Sequence, residues 1–131
     1  MIRLPFLIIA ATLACGSTAA PASSIAGTYS TTVALTSSTC AGITVQNNPT
    51  TVAHTAGATT FTLTHAGQTY TGTLASNNTF TTTAKAIQVG TTTHTLTIAG
   101  AFTPNGFTAD VTAIVSGSES CQYLVHWVGS R

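Results

Sequence analysis

Few side chains in this chain could do chemistry. The charged set is Arg3, Lys85, Asp110, Glu119 and Arg131, joined by His54, His65, His94 and His126. Paired-carboxylate catalysis needs two acids that meet across a reacting bond. Asp110 falls on an outward strand position and Glu119 in a turn, so they make no such pair. There is no Gly-x-Ser-x-Gly elbow, and nothing marks a third group to orient a serine–histidine pair. The expectation is a non-enzymatic protein, with no catalytic residues and no cofactor.

Three of the histidines, His54, His65 and His94, share the inward parity of their segments. His65 ends the third strand read below and His94 begins the sixth, so in an antiparallel meander both face one rim. Two imidazoles and a third nitrogen or oxygen ligand could hold zinc or copper. However, no His-x-His or His-x-x-x-His spacing occurs, and no carboxylate lies in phase. Rim imidazoles bonded to water or backbone are the plainer reading, and no metal is expected. His65 and His94 remain the pair to check.

The cysteines are Cys15, Cys40 and Cys121. Met1-Ile-Arg3 is a positive start and Leu4 to Ala14 an apolar run too short to span a bilayer, so residues 1–14 read as an export signal. Ala11-Thr12-Leu13-Ala14-Cys15-Gly16 resembles a bacterial lipobox, which makes Cys15 a lipidation site. Ordinary cleavage near residues 20–22, at Ala20-Pro21-Ala22, is the alternative. Residues 15–26, small and rich in Ser, Ala and Thr, read as a flexible tether to a domain spanning 27–131. Either processing route leaves Cys40 and Cys121 as an even pair, which forms a disulfide in an oxidising compartment. The expected location is the cell envelope, held by a lipid anchor, or outside the cell.

Composition removes other classes. With Lys+Arg at 3 there is no basic cluster for nucleic acid or an anionic membrane. The only membrane contact expected is through the lipid on Cys15. Threonine occurs 30 times and replaces the usual charged surface, being β-branched yet tolerant of water.

From Gly27 onward the periodicity is two, the spacing of half-buried strands. Turn signals such as Ala66-Gly67, Ser76-Asn77-Asn78 and Pro104-Asn105-Gly106 divide the chain into eight strands, near 27–36, 50–55, 58–66, 68–75, 79–87, 92–103, 106–116 and 119–129. No ten-residue stretch carries a helical stripe. Thr59–Gly67 and Thr92–Gly100 share seven of nine residues, but the spacing does not recur, so no solenoid is implied.

The predicted fold is all-β: an eight-stranded antiparallel up-and-down β-barrel, with a two-sheet β-sandwich as the alternative. Closure removes exposed edges. It also brings the last strand, Cys121 to Gly129, antiparallel to the first, with Cys40 and Cys121 at one rim and Gly27 opposite Gly129 at the other. Parity then points Tyr29, Leu35, Phe61, Tyr70, Phe80, Phe102, Phe107, Tyr123 and Trp127 inward and His126 outward. An eight-stranded barrel is either filled by side chains or holds one small ligand, and both readings stay open.

Gly27-Thr28-Tyr29 opening the first strand, the eight meandering strands and Arg131 after the last resemble the lipocalin, or calycin, family. The resemblance implies a basic residue packing across the barrel end and a small hydrophobic ligand. The ligand-lining set would be Tyr29, Phe61, Tyr70, Phe80, Phe102, Phe107, Tyr123 and Trp127. Tyr stands where the family has Trp, and its later motifs and C-terminal helix are missing. The functional expectation is an exported lipoprotein or secreted barrel binding a small apolar molecule. The alternative is a structural or adhesive module acting through its threonine-rich outer face. Oligomeric state is left open.

Overall fold

The computed structural model describes residues 24–131. The export signal at 1–14, the alternative cleavage near 20–22 and the Cys15 lipidation site lie outside the described residues. Nine strands follow in order: β1 (Gly27–Ser38), β2 (Thr50–Ala53), β3 (Thr60–His65), β4 (Gln68–Leu74), β5 (Thr79–Thr82), β6 (Lys85–Val89), β7 (Thr92–Thr103), β8 (Gly106–Gly117) and β9 (Cys121–Ser130). All pairings are antiparallel between sheet neighbours, and the order β5-β4-β3-β2-β1-β9-β8-β7 closes through β5–β7. The fold is a closed barrel of eight strands, not a sandwich, with β6 as an extra strand on β7.

Closure depends on β9 returning to β1, with Val33 opposite Trp127 and Leu35 opposite Val125. A bulge between Leu35 and Ser37 follows, then Ser38 opposite Tyr123. Cys40 and Cys121 continue this register and are bonded, with Cα atoms 5.2 Å apart. The other end of the predicted pairing needs correction. Gly129 faces Thr31, whereas Gly27 faces Val52 of β2. The strands of a barrel are tilted and staggered, so β1 starts lower than β9 ends and engages β2 with its first three positions. Leu35, expected inside, is 37% exposed because the bulge interrupts alternation near the rim.

The segment read as one strand over 79–87 is two. β5 pairs with β4 and with Thr79–Thr81's partners on β7, Ala99–Ala101. Past Thr83, β6 follows β7 alone, Lys85 facing Leu96 and Val89 facing Thr92. The break is held by hydrogen bonds from Thr83 N–H to Thr71 C=O (2.9 Å) and from Ile98 N–H to Thr82 Oγ1 (2.9 Å).

Alternation fills the barrel from one end. Tyr29, Phe61, Phe80, Phe102 and Phe107 are each at most 5% exposed and pack in tilted and edge-on pairs with centroids 4.8–6.1 Å apart. Two glycines make room for the rings. A Cβ on Gly72 would lie 2.2 Å from Phe61 Cζ, and one on Gly129 would lie 2.1 Å from Phe107 Cε1, each glycine being the ring's cross-strand partner.

Arg131 closes this end. Its guanidinium donates to the carbonyls of Ala26 (2.8 Å), Ser24 (3.3 Å) and Pro104 (3.1 Å) and lies 5.2 Å from the Tyr29 ring centroid. Tyr29 Oη donates to Ile25 C=O at 2.7 Å, and Ile25 is buried. Ser24 to Ala26, read as the end of a flexible tether, are therefore docked on the barrel.

Candidate functional site

The opposite, disulfide-bearing end is not filled. A mostly apolar cavity of about 250 Å³ opens there, walled by Val33, Leu96, Val111, Val125, Tyr70, Tyr123 and Trp127, with Ile87 of β6 on one side. The loop after Cys40 crosses the mouth and contributes Val45, Gln46 and Asn48. This loop is held down because Val33 N–H donates to Asn47 Oδ1 at 2.9 Å. It takes the place of β2 beside the upper half of β1, since β2 pairs only with Gly27 to Tyr29.

His65 closes β3 at the floor of this mouth. The ring is 7% exposed, stacked on Trp127 with centroids 4.0 Å apart, and its Nδ1 lies 3.0 Å from Thr50 Oγ1. Thr50 Oγ1 lies 2.8 Å from Thr31 Oγ1, which donates to Tyr29 C=O at 3.3 Å. The three contacts accommodate a proton order that runs from the ring to the carbonyl. In that order Thr31 donates to the carbonyl and accepts from Thr50, and Thr50 accepts from His65 Nδ1–H. The neutral tautomer thus leaves Nε2 as a bare acceptor. Burial holds the His65 pKa below the usual imidazole value and keeps the ring neutral.

A second chain orients His94 and Tyr123. Thr92 Oγ1 donates to Val89 C=O (2.8 Å) and accepts from His94 Nε2–H (3.3 Å), so His94 Nδ1 accepts the Tyr123 hydroxyl proton at 2.9 Å. Burial raises the pKa of Tyr123. Burial and the neighbouring Tyr123 raise that of Tyr70, and both phenols stay protonated at neutral pH.

The eight aromatic residues proposed as ligand-lining thus divide. Tyr70, Tyr123 and Trp127 border the mouth cavity. Tyr29, Phe61, Phe80, Phe102 and Phe107 form the packed plug beneath it, although Phe61 and Phe80 also reach outer depressions. His65 lines the mouth cavity, whereas His94 does not but holds Tyr123, which does; each imidazole is engaged in its own hydroxyl chain. His54 lies in the loop after β2 at the closed end, with Nε2 2.8 Å from Ala58 C=O and Nδ1 3.2 Å from Ser24 Oγ. Cys40, Glu119 and Cys121 are the one cluster of three metal-type ligands among the described residues, and the disulfide occupies both sulfurs.

Sequence reasoning missed two features. Asp110 and His126 face each other across β8 and β9 on the outer surface, Asp110 Oδ1 2.8 Å from His126 Nδ1. Pairing the last two strands in register would have found them. The mouth loop's Gln46 and Asn48 carried no strand signal and so no inside or outside. A broader hollow of about 650 Å³ lies near His54. It is lined by outward Thr60, Thr62 and Thr71 and is an open dip in the surface, so the interior mouth is the better candidate site. No family model, curated protein or solved structure matches the chain.

Proposed function

We propose that this chain is an exported, non-enzymatic barrel that binds one small, largely apolar molecule in the mouth beside Trp127. The observation that carries this reading is the 250 Å³ cavity inside the barrel wall, apolar in its depth and amide-bearing at its lip. A dry cavity of about 150 Å³ accepts benzene, so this one suits a ligand of one or two rings. Asp110 on the outer face and Glu119 in the β8–β9 turn stand outside the cavity lining, which supports binding over catalysis. Resemblance to lipocalins adds support, through the closed eight-stranded wall and Arg131 set across Tyr29. The Cys40–Cys121 disulfide fits an oxidising compartment. Anchoring by a lipid on Cys15 belongs to the same proposal; labelled palmitate should enter the chain and be lost on Cys15→Ala.

Native mass spectrometry of protein from its own host, compared with Leu96→Trp, tests the reading. The expected result is a bound small molecule that the larger side chain displaces. Empty wild-type protein that also takes up no aromatic probe would overturn it.

One observation favours a second use of the surface. On the outside of β3 and β4, Thr60–Thr73, Thr62–Thr71 and Thr64–Thr69 are directly opposed, flanked by Thr51 and Thr81. This uncharged hydroxyl array suits a structural or adhesive role. Glycan-array binding or self-association that fails on Thr62→Lys would support it, and a monomer blind to glycans would oppose it.

A further inference from the structure

Three polar atoms at the mouth have no hydrogen-bond partner among the described residues: Trp127 Nε1–H, Tyr70 Oη and His65 Nε2. Their residues are 4%, 4% and 7% exposed, so these are interior groups rather than surface ones. No side-chain nitrogen or oxygen among the described residues is both sealed from solvent and unpartnered. Each of the three atoms therefore keeps some accessible surface, and the cavity is a space that all three residues line. Buried polar groups are ordinarily satisfied, and the neighbouring Tyr123 hydroxyl is satisfied by His94. The contrast within one cavity marks the other three as groups kept for a guest.

Their chemistry differs in sign. Indole N–H only donates, and a phenol does both. With Thr31 donating to Tyr29 C=O, the threonine chain leaves His65 Nε2 an acceptor. Among the described residues no formally charged side chain lines the cavity, and its walls are apolar, so an ionic guest would lose its hydration without a partner.

We infer that the mouth selects a neutral one- or two-ring ligand bearing an O–H or N–H donor, such as a phenol or a lactam, over an equally large hydrocarbon. This rests on the cavity-binding reading above and adds a demand for hydrogen bonding to it. The donor would meet His65 Nε2, and the ligand's acceptor would meet Trp127 Nε1–H or Tyr70 Oη.

The test is calorimetric titration of the full chain with 2-naphthol, naphthalene and 2-naphthoate. We expect 2-naphthol to bind about tenfold more tightly than naphthalene, the scale of one net hydrogen bond, and naphthoate more weakly than either. In Tyr70→Phe, which keeps the ring, and His65→Phe, which keeps an aromatic side chain against Trp127, the ratio of naphthol to naphthalene affinity should fall towards one. Equal affinity of the wild type for both neutral probes, or a ratio unmoved in both variants, would overturn this inference and leave cavity binding standing. Binding of neither neutral probe would overturn both. Naphthoate binding as tight as naphthol would overturn the requirement for a neutral guest.

Discussion

At the scale of single residues, the barrel's filling depends on pairs that alternation alone does not show. Period two placed Tyr29, Phe61, Phe107 and Trp127 on the inner face without knowledge of neighbours. That Phe61 lies over Gly72 and Phe107 over Gly129 depends on cross-strand register, which no single strand encodes. Because the Gly72 Cβ position is already occupied by the Phe61 ring, Gly72→Ala should lower stability by about 1–3 kcal/mol in urea unfolding. Phe61→Leu in the same background should recover part of the loss by vacating that space.

His65 gives a pH dependence with a definite sign. Its folded pKa lies below the ordinary 6.5, so the unfolded chain takes up a proton first as pH falls. Stability from burying the neutral ring is complete above the unfolded value. It declines as pH drops below about 6.5, down to the folded pKa. Denaturation midpoints measured from pH 7.5 to 5 should fall, and the fall should be smaller in His65→Phe. The same protonation abolishes the Nε2 acceptor.

Among the elements, the first, seventh, eighth and last strands were readable almost to their ends, since long alternation and clear turn residues bound them. The 79–87 segment was not. Thr81-Thr82-Thr83 continues a strand pattern by residue type, while the bend arises from Thr82 Oγ1 accepting from Ile98 N–H across the sheet. The result is a seam. Above Thr83, the wall between β4 and β6 has no ladder, and Lys85 Nζ spans it by donating to Thr69 C=O at 2.8 Å. A strand paired on one edge opens more readily than one paired on both. Amide exchange should be faster in Lys85–Val89 than in Gly106–Gly117, by at least tenfold; equal protection would mean the seam is as tight as the rest of the wall.

For the whole molecule, closure was the most legible property, because the order of Cys40 and Cys121 along the chain agrees with β9 returning to β1. Which end of the interior was full was not legible. Aromatic residues occur at the same parity throughout, and only the barrel's stagger gathers five of them below the mouth. The disulfide closes a sequence separation of 81 residues, and Cys40→Ser with Cys121→Ser should cost about 2–5 kcal/mol in denaturant midpoint analysis. Since the bond also fixes one end of the loop carrying Val45 and Gln46, reduction should weaken probe binding more than fold content measured by circular dichroism.

The Arg131 contacts at the far end carry a last consequence. With Ser24, Ala26 and Pro104 drawn together over Tyr29, that end of the barrel is closed among the described residues. A ring seated in the proposed site would enter from the mouth, and a substituent on its outer edge would trail past Gln46 and Asn48. A phenol tethered to a bead through a linker at its outer edge should therefore capture the protein, and free phenol should release it.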